Sequence, residues 1–234
     1  MSLTLDERQT IWDTFCRTLT SDANPSVRAK AAEALGRLGN AKFIPNLLQA
    51  LTDESHLIRR SVIQALGQIG STESIPALII ALTDRNPEIS AAAAISLGQI
   101  RAKTAIPDLI QALNAPDSIV RSSSAQALSQ IGSDVAVPAL LDTLQSDADL
   151  TVMNSIVDAL VIITKNEPTS IEQIQNTAKN IITRSTNSQL RQSAIILLGK
   201  ISIADSIPEL IELLKDPDPN VVRAAIEALG NAAA

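Results

Sequence analysis

The chain has 234 residues and a formal net charge of −6, with 45% hydrophobic residues but only 1% aromatic ones. Ala, Ile and Leu suffice to bury one face of every helix, while Trp12, Phe15 and Phe43 alone leave little for stacking nucleobases or planar cofactors. Residues 1–121 hold 12 Lys/Arg against 12 Asp/Glu and residues 122–234 hold 7 against 13, so no basic stripe marks a nucleic-acid interface.

Cys16 is the single cysteine, which excludes an internal disulfide and fits a reducing compartment. The opening MSLTLDERQT has neither a basic leader nor an apolar h-region, and no apolar run approaches the ~18 residues of a membrane span. A cytoplasmic location away from membranes is expected.

In chain order, residues 3–20 place Leu5, Ile11, Trp12, Phe15 and Leu19 on one helical face, predicting an N-terminal capping helix over 1–20. A repeat begins at Asn24. Gly36, Gly67 and Gly98 stand 31 residues apart, Ser129 and Leu160 keep that count, Gly199 follows after 39 and Gly230 after 31. Pro45, Pro76, Pro107 and Pro138 keep the same period, and Pro208 follows after the same slip. Such self-similarity specifies a stack of like units.

Each period reads as two helices. In residues 43–70, Pro45 suits a first-turn position, Leu47, Leu48 and Leu51 share a face, and Ile58, Val62, Leu66 and Ile69 share the next, which ends at Gly70. The N-caps of successive second helices are read as Asn24, Ser55, Asn86, Asp117, Ala148, Asn187 and Asp218, six of them strong cappers. The second helices are expected near 25–39, 55–69, 86–100, 117–131, 149–163, 188–202 and 219–232. The slip falls in 164–186, where Pro168 opens an extended first helix. The recurring glycines are read as points of close helix approach. After Gly230 come only Asn231 and three alanines, so one array over 1–234 is expected with an uncapped C-terminal end, open to end-to-end self-association.

The pattern xIPxLLxALxD–xxxxVR–xxAxxALGxIG lacks the aromatics of tetratricopeptide repeats and the TPLH of ankyrin repeats. It resembles the HEAT-like repeat in the short form named for phycobilisome lyases, from about Asn24 to Asn231. The resemblance implies an all-α fold, a right-handed α–α superhelix (HEAT-like solenoid) of about seven helix pairs with a 31-residue period and one longer unit. It also implies a structural ladder pairing an Asp that closes the first helix with an Arg six residues on, as in Asp22–Arg28 and Asp53–Arg59. Asp84 meets Ser90, Arg121 faces Ala115, Arg191 faces Ser185 and Asp216 meets Val222, so the ladder reads as broken in the later units.

One histidine, His56, and one cysteine are too few for a zinc site or a Cys/His dyad. The repeated His-Glu pairs of metal-binding HEAT hydroxylases and the glycine loops that cradle phosphates do not occur. No catalytic, metal-binding or cofactor-binding residue is assigned. Function is then expected on the solvent side of the second helices, which line the inner curve of such solenoids. Three columns are read as outward. One begins Lys30, Ser61, Ala92, the next Glu33, Gln64, Ile95, and the third Arg37, Gln68, Gln99. Along them Ile95, Gln126, Met153, Val157, Val161 and Ile196 form the candidate concave strip for a protein partner. The leading expectation is a non-catalytic scaffold or adaptor binding another protein. The alternative implied by the resemblance is a phycobilisome bilin lyase subunit, or an antenna-protein chaperone or degradation factor. In the lyase case Arg37 and Arg60 would face the propionates of a bilin chromophore.

Overall fold

The computed structural model describes residues 4–201 and 206–233. These form fourteen α-helices and no strand. The contacts group them into two compact units, Met1–Leu109 and Ile110–Ala234.

The first unit opens with α1 (Leu5–Ser21), started by a capping box in which Thr4 and Glu7 satisfy each other's backbone amides. Then come α2 (Pro25–Leu38), α3 (Ile44–Ala50), α4 (His56–Ile69), α5 (Ile75–Ala81) and α6 (Pro87–Ile100). Helix α1 packs against α2 and α3, with Leu19 buried and Trp12 edge-on to Phe43 at 6.0 Å. The Lys42 ammonium stands 3.6 Å over the Trp12 ring, so the aromatic cluster is closed by its own cation.

Between the two lies α7 (Ile106–Ala112), and the second unit continues with α8 (Ser118–Ile131), α9 (Val137–Ser146), α10 (Leu150–Asn166), α11 (Ile171–Arg184), α12 (Ser188–Ile201), α13 (Ile207–Glu212) and α14 (Pro219–Ala233). Within each unit the second helices of successive pairs stack on one another: α2, α4 and α6 in the first, α8, α10, α12 and α14 in the second. Most first helices are short and enter through a 3-10 turn, with proline at an early position where no intrahelical N–H is needed. The extended first helix expected at 164–186 is a 3-10 turn at Pro168–Ser170 followed by the 14-residue α11.

Most caps form as the sequence requires, but Ser55 at the start of α4 makes no side-chain cap hydrogen bond and one cap is displaced. Asn24, Asn86 and Asp117 accept the amide two residues on, as do Asn187 and Asp218. In α10, however, the cap is Asp149, which accepts the amides of Thr151 and Val152, and not Ala148. Asp147 stands nine residues after Pro138, where Asp53 and Asp84 stand eight after Pro45 and Pro76, so one extra residue in the α9 segment displaces α10 by one position. Leu160 therefore does not continue the glycine column. It lies at 0% exposure with Leu35, Leu66 and Leu97, the leucine that α2, α4 and α6 bury at the same distance from their caps, and Val161 takes the glycine position.

Close helix approach is realised at Gly36 and Gly67. A Cβ on Gly36 would stand 2.7 Å from the Ala65 Cα, and one on Gly67 would stand 2.5 Å from the Ser96 Oγ. Ser96 also donates to the carbonyl of Ile63 at 3.1 Å, tying α6 to α4 inside the core.

Candidate protein-interaction face

Counting from each cap, the positions nine and thirteen residues on are the ones that recur at the solvent side of the second helices. In the first unit they are Glu33 and Arg37, Gln64 and Gln68, and Ile95 and Gln99, with Ile95 half-buried and Glu33 partly so. Lys30 pairs with Glu33 at 2.7 Å and Arg60 with Glu88 at 2.9 Å across α4 and α6, so this face is polar and internally neutralised. Arg60, one of the two arginines expected to meet a propionate, is thus engaged by Glu88, while Arg37 lies exposed at the end of α2. His56 opens α4 and is exposed.

In the second unit the same positions hold Gln126 and Gln130 on α8, Asp158 and Ile162 on α10, and Ile196 and Lys200 on α12. Ile162 is 42% and Ile196 37% exposed. Between them Lys200 donates to Asp158 at 2.8 Å, each charge one helical turn from one isoleucine. The result is a small apolar pair crossed by an ion pair, with glutamines beside it.

This revises the candidate strip. Gln126 and Ile196 are exposed and Ile95 is half-buried, but Met153, Val157 and Val161 are core residues at 0%, 3% and 7% exposure. The one extra residue before α10 rotates it by about 100° relative to the expected register, turning Asp158 and Ile162 outward in place of Val157 and Val161. In the column that begins at Lys30, Lys30 and Asn154 are exposed, whereas Ser61, Ala92, Ser123, Ser193 and Ala224 are buried. Asp158 and Ile162 were missed in sequence. The signal that finds them is the cap: Asp149, two residues after Asp147, repeats the spacing of Asn86 after Asp84.

The Arg–Asp ladder also differs from expectation. Arg28 sends Nη1 to the backbone carbonyl of Asp22 at 2.7 Å, not to its carboxylate. The Asp22 carboxylate instead accepts the amide of Asn24 at 2.8 Å. The Arg28 fork meets Asp53 of the next helix pair at 2.9 and 3.1 Å. Arg59 likewise holds the Asp53 carbonyl at 2.9 Å and faces Asp84 at 3.4 Å. Arg121 meets Asp147 at 2.6 and 3.1 Å, and Arg191 forks onto Asp216. The later units therefore keep two rungs, Arg121–Asp147 and Arg191–Asp216. The six-residue spacing reflects an arginine tying down its own elbow, while the aspartate six residues back serves the pair before it. Where the arginine is replaced, as by Ser90 or Met153, the next aspartate position is also non-acidic, Ala115 or Ser185. This avoids a part-buried carboxylate with no partner.

These contacts move the carboxylates. Burial pushes Asp53 and Asp147 up, but the arginine and the cap amide together outweigh it and hold both below the usual range. Asp216 is held low first by Arg191. Burial pushes the half-buried Cys16 thiol up, away from reactivity. Among the described residues no group of three His, Cys, Asp or Glu stands close enough to hold a metal ion, and no helix is long and apolar enough to cross a membrane.

Stacked helix pairs with inter-pair ladders and helix-to-helix glycine contacts define an all-α superhelix of the α–α solenoid class. The chain belongs to the HEAT repeats family, whose model matches residues 13–85, 75–161 and 176–233. Among solved structures it is similar to the complex of CpcE and CpcF of phycocyanin lyase from Nostoc sp. PCC7120, at 23% identity and TM-score 0.58, covering 98% of this chain and 88% of that one. It is also similar to the karyopherin Kap121p bound to the extreme C-terminus of the protein phosphatase Cdc14p, at 15% identity and TM-score 0.71, covering 98% of this chain and 30% of that one. Kap121p bound to Pho4p gives 15% identity, TM-score 0.68 and the same coverage, so the chain spans about a third of the karyopherin's length. No curated protein matches the chain. At these identities the likenesses speak for the fold.

Proposed function

We propose that the protein is a non-catalytic scaffold that binds a partner protein along the solvent face of its second helices. The observation that carries this reading is the Ile162/Ile196 pair with the Asp158–Lys200 ion pair between them, two exposed branched aliphatics amid polar side chains. An apolar centre with a polar rim is the anatomy of a protein interface, where a few desolvated side chains supply most of the affinity. Structural neighbours that are complexes with other proteins agree with it.

The test is an affinity pull-down from a lysate of the source organism, comparing the wild-type chain with Ile162→Asp/Ile196→Asp. A partner captured by the wild type and lost in the variant, at unchanged helicity, supports the face. A partner retained by the variant moves the interface elsewhere.

The second reading is a subunit of a phycobilisome bilin lyase or an antenna-protein chaperone, favoured by the near full-length coverage in both directions of the phycocyanin lyase likeness. It predicts that added bilin shows a shifted, sharpened visible band with this protein, and an unchanged spectrum at a large protein excess would remove the lyase form of it.

A further inference from the structure

One rung of the ladder is built differently from the other three. Arg28, Arg121 and Arg191 each set two nitrogens on the two oxygens of one carboxylate. Arg59 and Asp84 form a looser ion pair, with Nε 3.4 Å from Oδ2, while Nη1 of Arg59 donates to the carbonyls of Asp53 and Glu54 at 2.9 and 3.2 Å. Its Nη2 makes no hydrogen bond to a carboxylate among the described residues.

Beside this rung lies a half-open cavity of about 400 Å³. Its walls include Leu51, Ile63 and Ile89, with Ile80 on its lining at 75% exposure. Arg59 and Arg85 bring two positive charges to it and Asp84 one negative. The corresponding cavity at Arg121 has the opposite character. There the guanidinium is already forked onto Asp147, and Asp149 adds a second carboxylate, so an incoming anion is repelled.

We propose that the Arg59–Arg85 cavity docks the C-terminus of a partner polypeptide ending in a branched aliphatic residue. A terminal carboxylate would find the unused guanidinium donor of Arg59 and the charge of Arg85, neutralising the single excess positive charge. The aliphatic side chain would fill the space between Leu51, Ile63 and Ile89, and the preceding residues would leave over Ile80. A cavity at the small end of the ligand range of ~300–1,000 Å³ admits one or two residues and no more. The proposal rests on the protein-binding reading only in that the partner is a protein. It uses no residue of the α10/α12 face, so pull-down variants at Ile162 and Ile196 leave it untouched.

The test is ligand-observed NMR titration of the full chain with N-acetyl-leucine, N-acetyl-leucinamide and 4-methylvalerate. The expected result is saturable N-acetyl-leucine binding, at least tenfold weaker binding of the amide, and weaker binding of 4-methylvalerate, which lacks the peptide group. Ala81→Leu, which fills the cavity, should abolish binding, and Ile80→Glu, at an exposed position that cannot disturb the core, should weaken it. Equal binding of the amide overturns the carboxylate role. Binding of 4-methylvalerate as tight as that of N-acetyl-leucine assigns the cavity to a free acid and overturns the polypeptide. Absence of N-acetyl-leucine binding, or binding unaffected by Ile80→Glu, overturns the site.

Discussion

Asp147 accepts the amide of Asp149 on one oxygen at 2.9 Å and the Arg121 fork on both, so one side chain fixes the elbow before α10 and binds the preceding pair. Its side chain is 6% exposed and that of Arg121 17%, so removing the carboxylate strands a part-buried guanidinium. Asp147→Ala is expected to lower stability by about 3 kcal/mol in urea unfolding. Asp84 carries the same cap amide but only the single 3.4 Å contact, with both side chains more than 20% exposed. Asp84→Ala should therefore cost about 1 kcal/mol. Equal losses would mean that the fork adds nothing beyond the cap. The same carboxylates set the acid limit. Asp53, Asp147 and Asp216 titrate lower in the folded than in the unfolded chain. Their contribution is then complete above the unfolded value of about 4 and is lost as pH falls through the folded values. Thermal midpoints should hold level above about pH 5 and fall below about 4. The decline should be shallower in Asp147→Asn, measured as melts followed by circular dichroism.

At the scale of the helix, glycine has opposite meanings at two positions of one column. On propensity alone, Gly→Ala within a helix stabilises by about 1 kcal/mol. At Gly36 the new methyl would meet the backbone of Ala65, so α2 and α4 must separate and the Leu35 and Leu66 layer opens. Gly36→Ala is expected to destabilise by about 2 kcal/mol. Gly230 has nothing within 4 Å of the same atom, so Gly230→Ala should stabilise by up to ~1 kcal/mol. Denaturation midpoints moving in the same direction would refute the close-packing account. This contrast also marks how far the elements could be read beforehand. Caps, prolines and the glycine column are local signals, and they placed the second helices. The one extra residue in the α9 segment alters neither composition nor amphipathicity, so a count of 31 runs through it and sets Leu160 where Val161 belongs. The ladder was misread for a related reason. Its partners are 25 or 26 residues apart, and only the stacking of one pair on the next brings them together.

For the molecule as a whole the question is which residues belong to the stack and which to the solvent, because a repeat array draws its stability from interfaces between neighbours. Val157 and Val161 lie on α10, which packs against both α8 and α12. Val157→Asp/Val161→Asp would place two unpaired carboxylates at positions 3% and 7% exposed. Burying such groups rivals the ~5–15 kcal/mol that holds a whole domain together. A large loss of ellipticity at 222 nm is expected near neutral pH. Ile162→Asp/Ile196→Asp makes the same chemical change on the same stack but at exposed positions, and should keep the wild-type spectrum and melt within about 1 kcal/mol. Both variants introduce two carboxylates into the α10/α12 layer, one pair at buried and the other at exposed positions, so together they test the register of α10 that places Ile162, and not the valines, on the candidate face beside Ile196. Full ellipticity in the valine variant would turn α10 back and restore the strip first read from the sequence. Unfolding in the isoleucine variant would make those side chains core and leave the second unit without an apolar docking point on this face.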